Sequence, residues 1–280
     1  MVTDTKKIGF IDYFLDEWHA DQYPGWIKEA TGGRMEAAYA YGKIDASNGT
    51  DNATWCRNKG IELLDSIEAV IDKSDYLIVL SPDNPEFHEE LAMLPLQSGK
   101  PTYVDKTFAP DRRTAELLFE TAAKHNTPLF SSSALRFASE YQALDKAGIQ
   151  SIFSVGPGHY DNYSIHQIEP IVSLMRSKPV EVMYLGNQQT PILMIRFANG
   201  KQASIHHVGD SPFSLLVDYG AQSQLVKAQS DFFAVFTREM TKFFETHEAP
   251  VDASETISVI SIIEHGFKAA QRPFEWIRLP

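Results

Sequence analysis

From residue 7 to residue 135 the chain alternates short apolar runs with amphipathic stretches, and no other feature of the sequence limits its fold as strongly. KIGFID (7–12), MEAAYAYG (35–42), YLIVLSP (76–82), PTYVDK (101–106) and PLFSSSAL (128–135) have the length and composition of strands. Between them, NKGIELLDSIEAVIDK (58–73) brings Leu63, Leu64, Ile67, Val70 and Ile71 onto one helical face. FHEELAMLPLQSGK (87–100) reads as a helix ending at Gly99, and RRTAELLFETAAKHN (112–126) as another. Continuously apolar strands alternating with helices are buried on both faces, which requires a parallel, doubly wound sheet.

The rhythm changes after residue 138. SIFSVGPGHYDNYS, EVMYLGNQ, PILMIRFANGKQASIHHVGD and FSLLVDYGAQSQLVKA contain strand-like pieces separated by Gly, Asn or Pro, and FANGKQA has the composition of a hairpin turn. This half is expected to be α+β with a mostly antiparallel sheet. Two helices close it. SDFFAVFTREMTKFFETH aligns Phe232, Phe233, Phe236, Met240, Phe243 and Phe244 on one stripe that suits a core, and SETISVISIIEHGFKAA starts with Ser254 as N-cap. The reading is two domains, residues 1–138 and 139–280, with a final strand or helix packing back on the first. TGGR (31–34) reads as a glycine turn ending a helix.

Composition removes several classes of function. With 280 residues, 43% of them hydrophobic, the chain can build real cores. A net charge of -12 repels duplex nucleic acid and anionic membranes, and no local basic patch opposes that field. The N-terminal MVTDTKKIGF carries no apolar run of signal-peptide length, and no window approaches the roughly 18–20 apolar residues that span a bilayer. Cys56 is the single cysteine, which excludes intramolecular disulfides and zinc sites built from several thiolates, and fits a reducing cytoplasm.

GKPTYVDKTFAPDRRTAELLFETAAKHN (99–126) resembles a strand-helix unit of the Gfo/Idh/MocA oxidoreductases, the glucose-fructose oxidoreductase and inositol dehydrogenase family. There, Asp105, Lys106 and Thr107 stand where the family has Glu-Lys-Pro. Ser81, Pro82 and His88 match its Thr-Pro loop and histidine-bearing helix start. In NYSIHQIEPIVSLM, the residues Asn162, Ser164, His166 and Glu169 occupy its Asp-x-Gly-x-His-x-x-Asp positions. The RFANGKQASI hairpin and the Phe-rich closing helices continue the likeness over essentially the whole chain.

The resemblance implies a Rossmann-like first domain, a substrate and oligomerisation domain, an NAD(P) cofactor, a small sugar or polyol substrate, and a homo-oligomer, dimer or tetramer. It assigns proton handling to Lys106 and His166. It places the cofactor against Asp12, Phe14, Leu15, Gly42, Lys43, Ser81, Pro82, His88 and Asp105. It puts Asn162 and Glu169 at the substrate, to which the residues themselves add His159, Asp161, Tyr163 and Arg136 as candidate contacts in the same cleft.

The residues themselves resist part of that assignment. In IGFIDYFLDEWHADQYPGWI (8–27) a strand runs into a helix through a turn without glycine, and Asp12, Phe14 and Glu17 stand at the three Gly-x-Gly-x-x-Gly positions. Two readings stay open: these acids oppose a diphosphate, or they cap the helix and complement its dipole. Gly42 followed by Lys43 lacks the acid that holds a free 2′-hydroxyl, which favours NADP over NAD or marks an ordinary strand-end turn. If His159 and Asp161 lie on a strand, they share a face with each other and with one of His206 or His207. That set suits sugar hydroxyls better than a metal, whose ligand spacing it lacks, and no metal is expected.

Three functions follow: an oxidoreductase on a hydroxyl compound with weakly held NAD(P), a ligand- or partner-binding protein that has lost the dinucleotide, and a non-redox lyase or hydrolase. Lys106 favours the first, since a mere binding module has little use for it, although a structural ion pair would also retain it.

Overall fold

The computed structural model describes residues 4–187 and 189–280. Residues 1–3, which begin the N-terminal stretch read above, and Gln188, which ends EVMYLGNQ, lie outside it. The chain divides into two compact units, one of residues 1–109, 113–131 and 234–253, the other of residues 110–112, 132–233 and 254–280.

The first unit contains β1 (Lys6–Asp12), α1 (Trp18–Thr31), β2 (Met35–Gly42), α2 (Asn52–Lys59), β3 (Glu62–Leu63), α3 (Ile67–Lys73), β4 (Tyr76–Val79), α4 (His88–Gln97) and β5 (Thr102–Val104). Most of α5 (Arg112–Lys124) and β6 (Leu129–Phe130) complete it. Its six strands are all parallel in the order β3-β2-β1-β4-β5-β6, the expected doubly wound sheet, whose order reverses between β1 and β4.

Local signals fix the boundaries. Glu17 caps α1, and Gly32, at φ 59°, closes it, as the glycine turn implied. The stretch 58–73, expected to be one helix, is instead broken in three. Gly60 ends α2 in the left-handed region, Leu63 joins β3 against Ala40, and the Ser66 hydroxyl accepts from Ala69 N to start α3. Apolar periodicity had carried across two cap signals.

The other unit holds a 3-10 turn (Ala134–Phe137), α6 (Ser139–Gln142), β7 (Ser151–Gly156), α7 (Tyr160–Met175), β8 (Pro179–Gly186), β9 (Pro191–Phe197), β10 (Gln202–His207), β11 (Ser214–Asp218) and β12 (Ser223–Lys227). α8 (Phe232–Thr246) begins in this unit and continues in the first. α9 (Ala253–Ala270) and β13 (Trp276–Arg278) end the chain. The seven strands run in the order β12-β11-β7-β10-β9-β8-β13, antiparallel except for β7 with β10. Ala203, Ile205, Leu215 and Val217 share a core with Ile168 and Ile171 of α7 and Ile262 of α9. Ser254 lies inside the first turn of α9, so it is not the N-cap. Among the described residues no helix is long and apolar enough to cross a membrane.

The phenylalanine stripe is core, as its spacing implied. In the first unit the Phe236 ring meets those of Tyr23 and Tyr103, Phe243 meets Phe130 at 4.8 Å, and Phe244 stacks on Tyr76 at 5.0 Å. Each buried ring contributes about 1.5–3 kcal/mol through area alone. Phe243→Ala is therefore expected to lower the unfolding free energy by about 3–5 kcal/mol, seen as a lower urea midpoint at an unchanged slope.

Candidate active site

In the first unit the candidate residues gather at the C-terminal edge of the parallel sheet. The register puts Asp12 beside Gly42 and Val79 beside Val104, so the segments leaving β1, β2, β4 and β5 emerge side by side. Asp12 is buried. One carboxyl oxygen accepts from Tyr13 N at 2.6 Å, and the other is buried without a hydrogen-bond partner. Burial, and then the neighbouring Glu17, push this carboxyl well above the usual range.

The glycine-free turn is held by its own contacts. Leu15 N donates to the Asn52 side chain at 3.0 Å, while the Asn52 amide donates to Ile44 O at 2.7 Å and Gly42 O at 3.3 Å. A Cβ on Gly42 would strike Asn52, so this glycine makes room for a loop clasp. Tyr13 stacks on Phe87 at 3.8 Å and meets Phe14 edge-on. Lys43 pairs with Glu90 and lies over the Phe87 ring.

Glu17 accepts hydrogen bonds from His19 N at 2.7 Å and from Ala20 N, two of the free amides at the start of α1. Of the two open readings, the geometry realises the helix cap. Burial raises the Glu17 carboxyl to about 7, with the His19 charge and the amides acting against it.

Asp105 is buried at the end of β5. It accepts from the Tyr103 hydroxyl at 3.0 Å, the Tyr23 hydroxyl at 3.4 Å and Lys106 N at 2.7 Å, and pairs with His19 Nδ1. Burial opposes charge on both partners, but their attraction prevails: Asp105 lies below the usual range and His19 above its own. Lys106 is buried. Its ammonium donates to Pro82 O at 3.3 Å and lies 3.5 Å from Asp83, and the Lys106–Thr107 peptide bond is cis. Ser81 holds φ at 81°, a costly conformation for a non-glycine residue, with its hydroxyl on Asn84 O. His88 is fully buried, its ring nitrogens on Leu80 O and Phe108 O, and burial lowers its pKa.

In the second unit, His166 of α7 shares a 2.7 Å hydrogen bond with the Ser133 hydroxyl through Nδ1. Glu169, one turn on, is buried and accepts from Ser133 N at 2.6 Å and the Ser132 hydroxyl at 3.0 Å. Burial raises its carboxyl to about 7, against the pull of Arg136. Arg136 is itself buried and paired with Glu255. Tyr163 and Phe213 flank the His166 ring, and each lies over a glycine: a Cβ on Gly158 would meet Tyr163, and one on Gly156 would meet Phe213.

His159, Asp161 and Asn162 are exposed at the start of α7. The expectation that His159 and Asp161 share a strand face fails, because β7 ends at Gly156. His206 and His207 are adjacent on β10, so they point to opposite faces. His206 meets Ser204, and His207 meets Pro157 O. Among the described residues no group of three or more His, Cys, Asp or Glu side chains is arranged to hold a metal ion.

Sequence reasoning missed His19, Asn52, Ser133 and Phe213. The serine run at the end of β6 and the histidine two residues after a capping acid were the available signals, and both pass for ordinary loop and helix composition.

A dinucleotide diphosphate on this scaffold takes the amides at the start of α1. Here Glu17 accepts from them, and the cavity beside it, lined by Asp12, Phe14, Ser81, Pro82 and Asp83 among others, measures about 20 Å³, space for about one water. The residues at this edge therefore do not fit a diphosphate as they stand.

Two of the three raised carboxyls, Glu17 and Glu169, make stability fall with pH in a defined window. Between the ordinary value of 4.5 and about 7, the native chain keeps a proton at Glu17 and at Glu169 that the unfolded chain has released. Urea midpoints are expected to decline across this window and level off above it. Glu169→Gln should flatten part of the decline; an unchanged slope would refute the assignment.

No protein-family model matches the sequence, and no curated protein matches it. Solved structures do. The chain is similar to myo-inositol 2-dehydrogenase from Lactobacillus plantarum at 15% identity and a TM-score of 0.80, covering 98% of this chain and 99% of that one. It is similar to scyllo-inositol dehydrogenase from Lactobacillus casei, solved with NAD(H) and scyllo-inositol, at 13% identity and a TM-score of 0.80, with 98% and 99% covered. UDP-N-acetylglucosamine 3-dehydrogenase from Acidithiobacillus ferrooxidans follows at 15% identity and 0.78, with 94% and 97% covered. The chain thus has the fold of these dehydrogenases along nearly its full length.

Proposed function

We propose that this chain is an oxidoreductase of the Gfo/Idh/MocA type, acting on a hydroxyl group of a sugar, polyol or related compound with a weakly held nicotinamide dinucleotide. The observation that carries this reading is Lys106. In a fold shared with inositol and sugar-nucleotide dehydrogenases, it stands at the end of β5 with its ammonium held by Pro82 O beside Asp83. Lys106 and His166 handle the hydroxyl proton, and Ser133 holds the imidazole at Nδ1. NADP is favoured over NAD because Gly42 stands at the end of β2, where an acid would hold a free 2′-hydroxyl, and Lys43 follows it directly. The chain works in the cytoplasm, in keeping with Cys56, whose buried thiol is pushed up to about 11.

A second reading, a binding protein without dinucleotide, is favoured by one observation: Glu17 already serves the amides at the start of α1. Titration with NADH and NADPH, followed by nicotinamide fluorescence, separates the two. Saturable binding, with hydride transfer to or from a hydroxyl compound that Lys106→Ala lowers by at least 100-fold, supports the oxidoreductase. Absence of binding up to millimolar cofactor supports the second reading.

We further propose that the chain is a homo-oligomer, dimer or tetramer, assembled through the open face of the second sheet. Phe153, Leu216 and Leu225 lie in register across β7, β11 and β12 and are all exposed, while Ile152, Leu215 and Val217 turn inward. Leu216→Glu with Leu225→Glu is expected to reduce the mass in light scattering to that of one chain. A natural protein that is already monomeric would refute this assembly.

A further inference from the structure

The amides of His19 and Ala20 are the donors that the start of α1 offers to an anion, and the helix dipole adds to their pull. Both donate to Glu17, a carboxylate that imitates a phosphate oxygen in charge and acceptor geometry. A second closure lies beside it. His19 reaches from the first turn of α1 to Asp105 at the end of β5, and since β4 lies between β1 and β5, this pair spans the crevice at the reversal of strand order. Tyr23 and Tyr103 hold Asp105 from behind, so the link is anchored at both ends. Asp12 adds a buried carboxyl oxygen without a partner on the same wall, and about 20 Å³ remains free.

We propose that Glu17 is the residue that sets dinucleotide affinity in this chain: its carboxylate is an internal occupant of the diphosphate seat, which a dinucleotide reaches only by displacing it from the amides of His19 and Ala20. The proposal rests on the cofactor reading above and deepens it. The groups facing Glu17 are Asp12 from β1, His19 from α1 and Asp105 after β5, two acids and one cation paired to one of them. The one cation among these groups is already paired with Asp105, so a diphosphate entering this setting finds no countercharge among them, and the amides are released to it only when Glu17 moves. His19–Asp105 acts as a lock on the same seat, since the imidazole must turn aside for a ligand that crosses β4.

The test is calorimetric titration at pH 8 of the natural chain, Glu17→Gln, Glu17→Gly and His19→Ala, each with NADPH and with adenosine diphosphate, which carries the diphosphate without the nicotinamide. Circular dichroism melts establish that each variant is folded, and Glu17→Gln keeps an acceptor for the helix cap should Glu17→Gly unfold. The expected result is tightening by at least 10-fold for Glu17→Gly with both ligands and a smaller gain for Glu17→Gln, where the charge is gone but the cap remains. His19→Ala tightens NADPH more than adenosine diphosphate. Equal affinity in the natural chain and all variants would overturn the occupant role while leaving the cofactor reading intact. Absence of binding by every folded variant up to millimolar ligand would overturn both.

Discussion

The carboxylate of Asp105 is the interaction on which the first unit depends. A charged group this far from solvent is tolerated only when other groups meet its charge and its lone pairs. Asp105 meets both conditions through His19, Tyr23, Tyr103 and Lys106 N, drawn from α1, β5 and the turn that follows. The same tyrosines put their rings against Phe236, so one carboxylate joins the polar edge of the sheet to its aromatic core. The first turn of α1 is thereby tied to β5, and the segment carrying Lys106 leaves the sheet from a fixed point.

The two other carboxyls at this edge obey the same physics with the opposite result. Asp12 has no cation beside it, and at Glu17 burial outweighs the pull of His19, so both pKa values rise where His19 keeps that of Asp105 low. Glu17 is satisfied by helix amides; Asp12 is satisfied at one oxygen only. The sheet edge therefore keeps one charge firmly and retains protons at two neighbouring sites. A crevice that would take a dianion in a dinucleotide enzyme is here furnished for acids.

How much of this the sequence revealed follows from the range of each interaction. Strand alternation, the glycine turn at 31–34, the FANGKQA hairpin and the phenylalanine stripe are local patterns, and they identified both sheets and the core of α8. The capping role of Glu17 was legible for the same reason, as an acid directly before a helix. The His19–Asp105 pair joins residues 86 positions apart, and Ser133 meets His166 across 33. Neither pairing has a spacing rule, so no pattern in the chain announced it. The expected His/Asp face failed because Pro157 and Gly158 end β7 just before His159, which turns an assumed strand residue into the entry to a helix.

Glu17 also explains how the fold and the seat can change independently. A glycine at that position gives space and frees the amides; a glutamate loses the space but supplies an acceptor, so α1 starts at the same place with its amides satisfied. Asn52 compensates similarly, bonding Leu15 N and the carbonyls of Gly42 and Ile44 and giving the glycine-free turn a side-chain clasp. Because these side chains satisfy the backbone groups around them, the sheet and its helices form without a glycine in the turn, which is compatible with TM-scores of 0.80 at 13–15% identity. The overall likeness consequently carries no information about the chemistry at the start of α1, which depends on the carboxylates at 12, 17 and 105 and on the imidazole at 19.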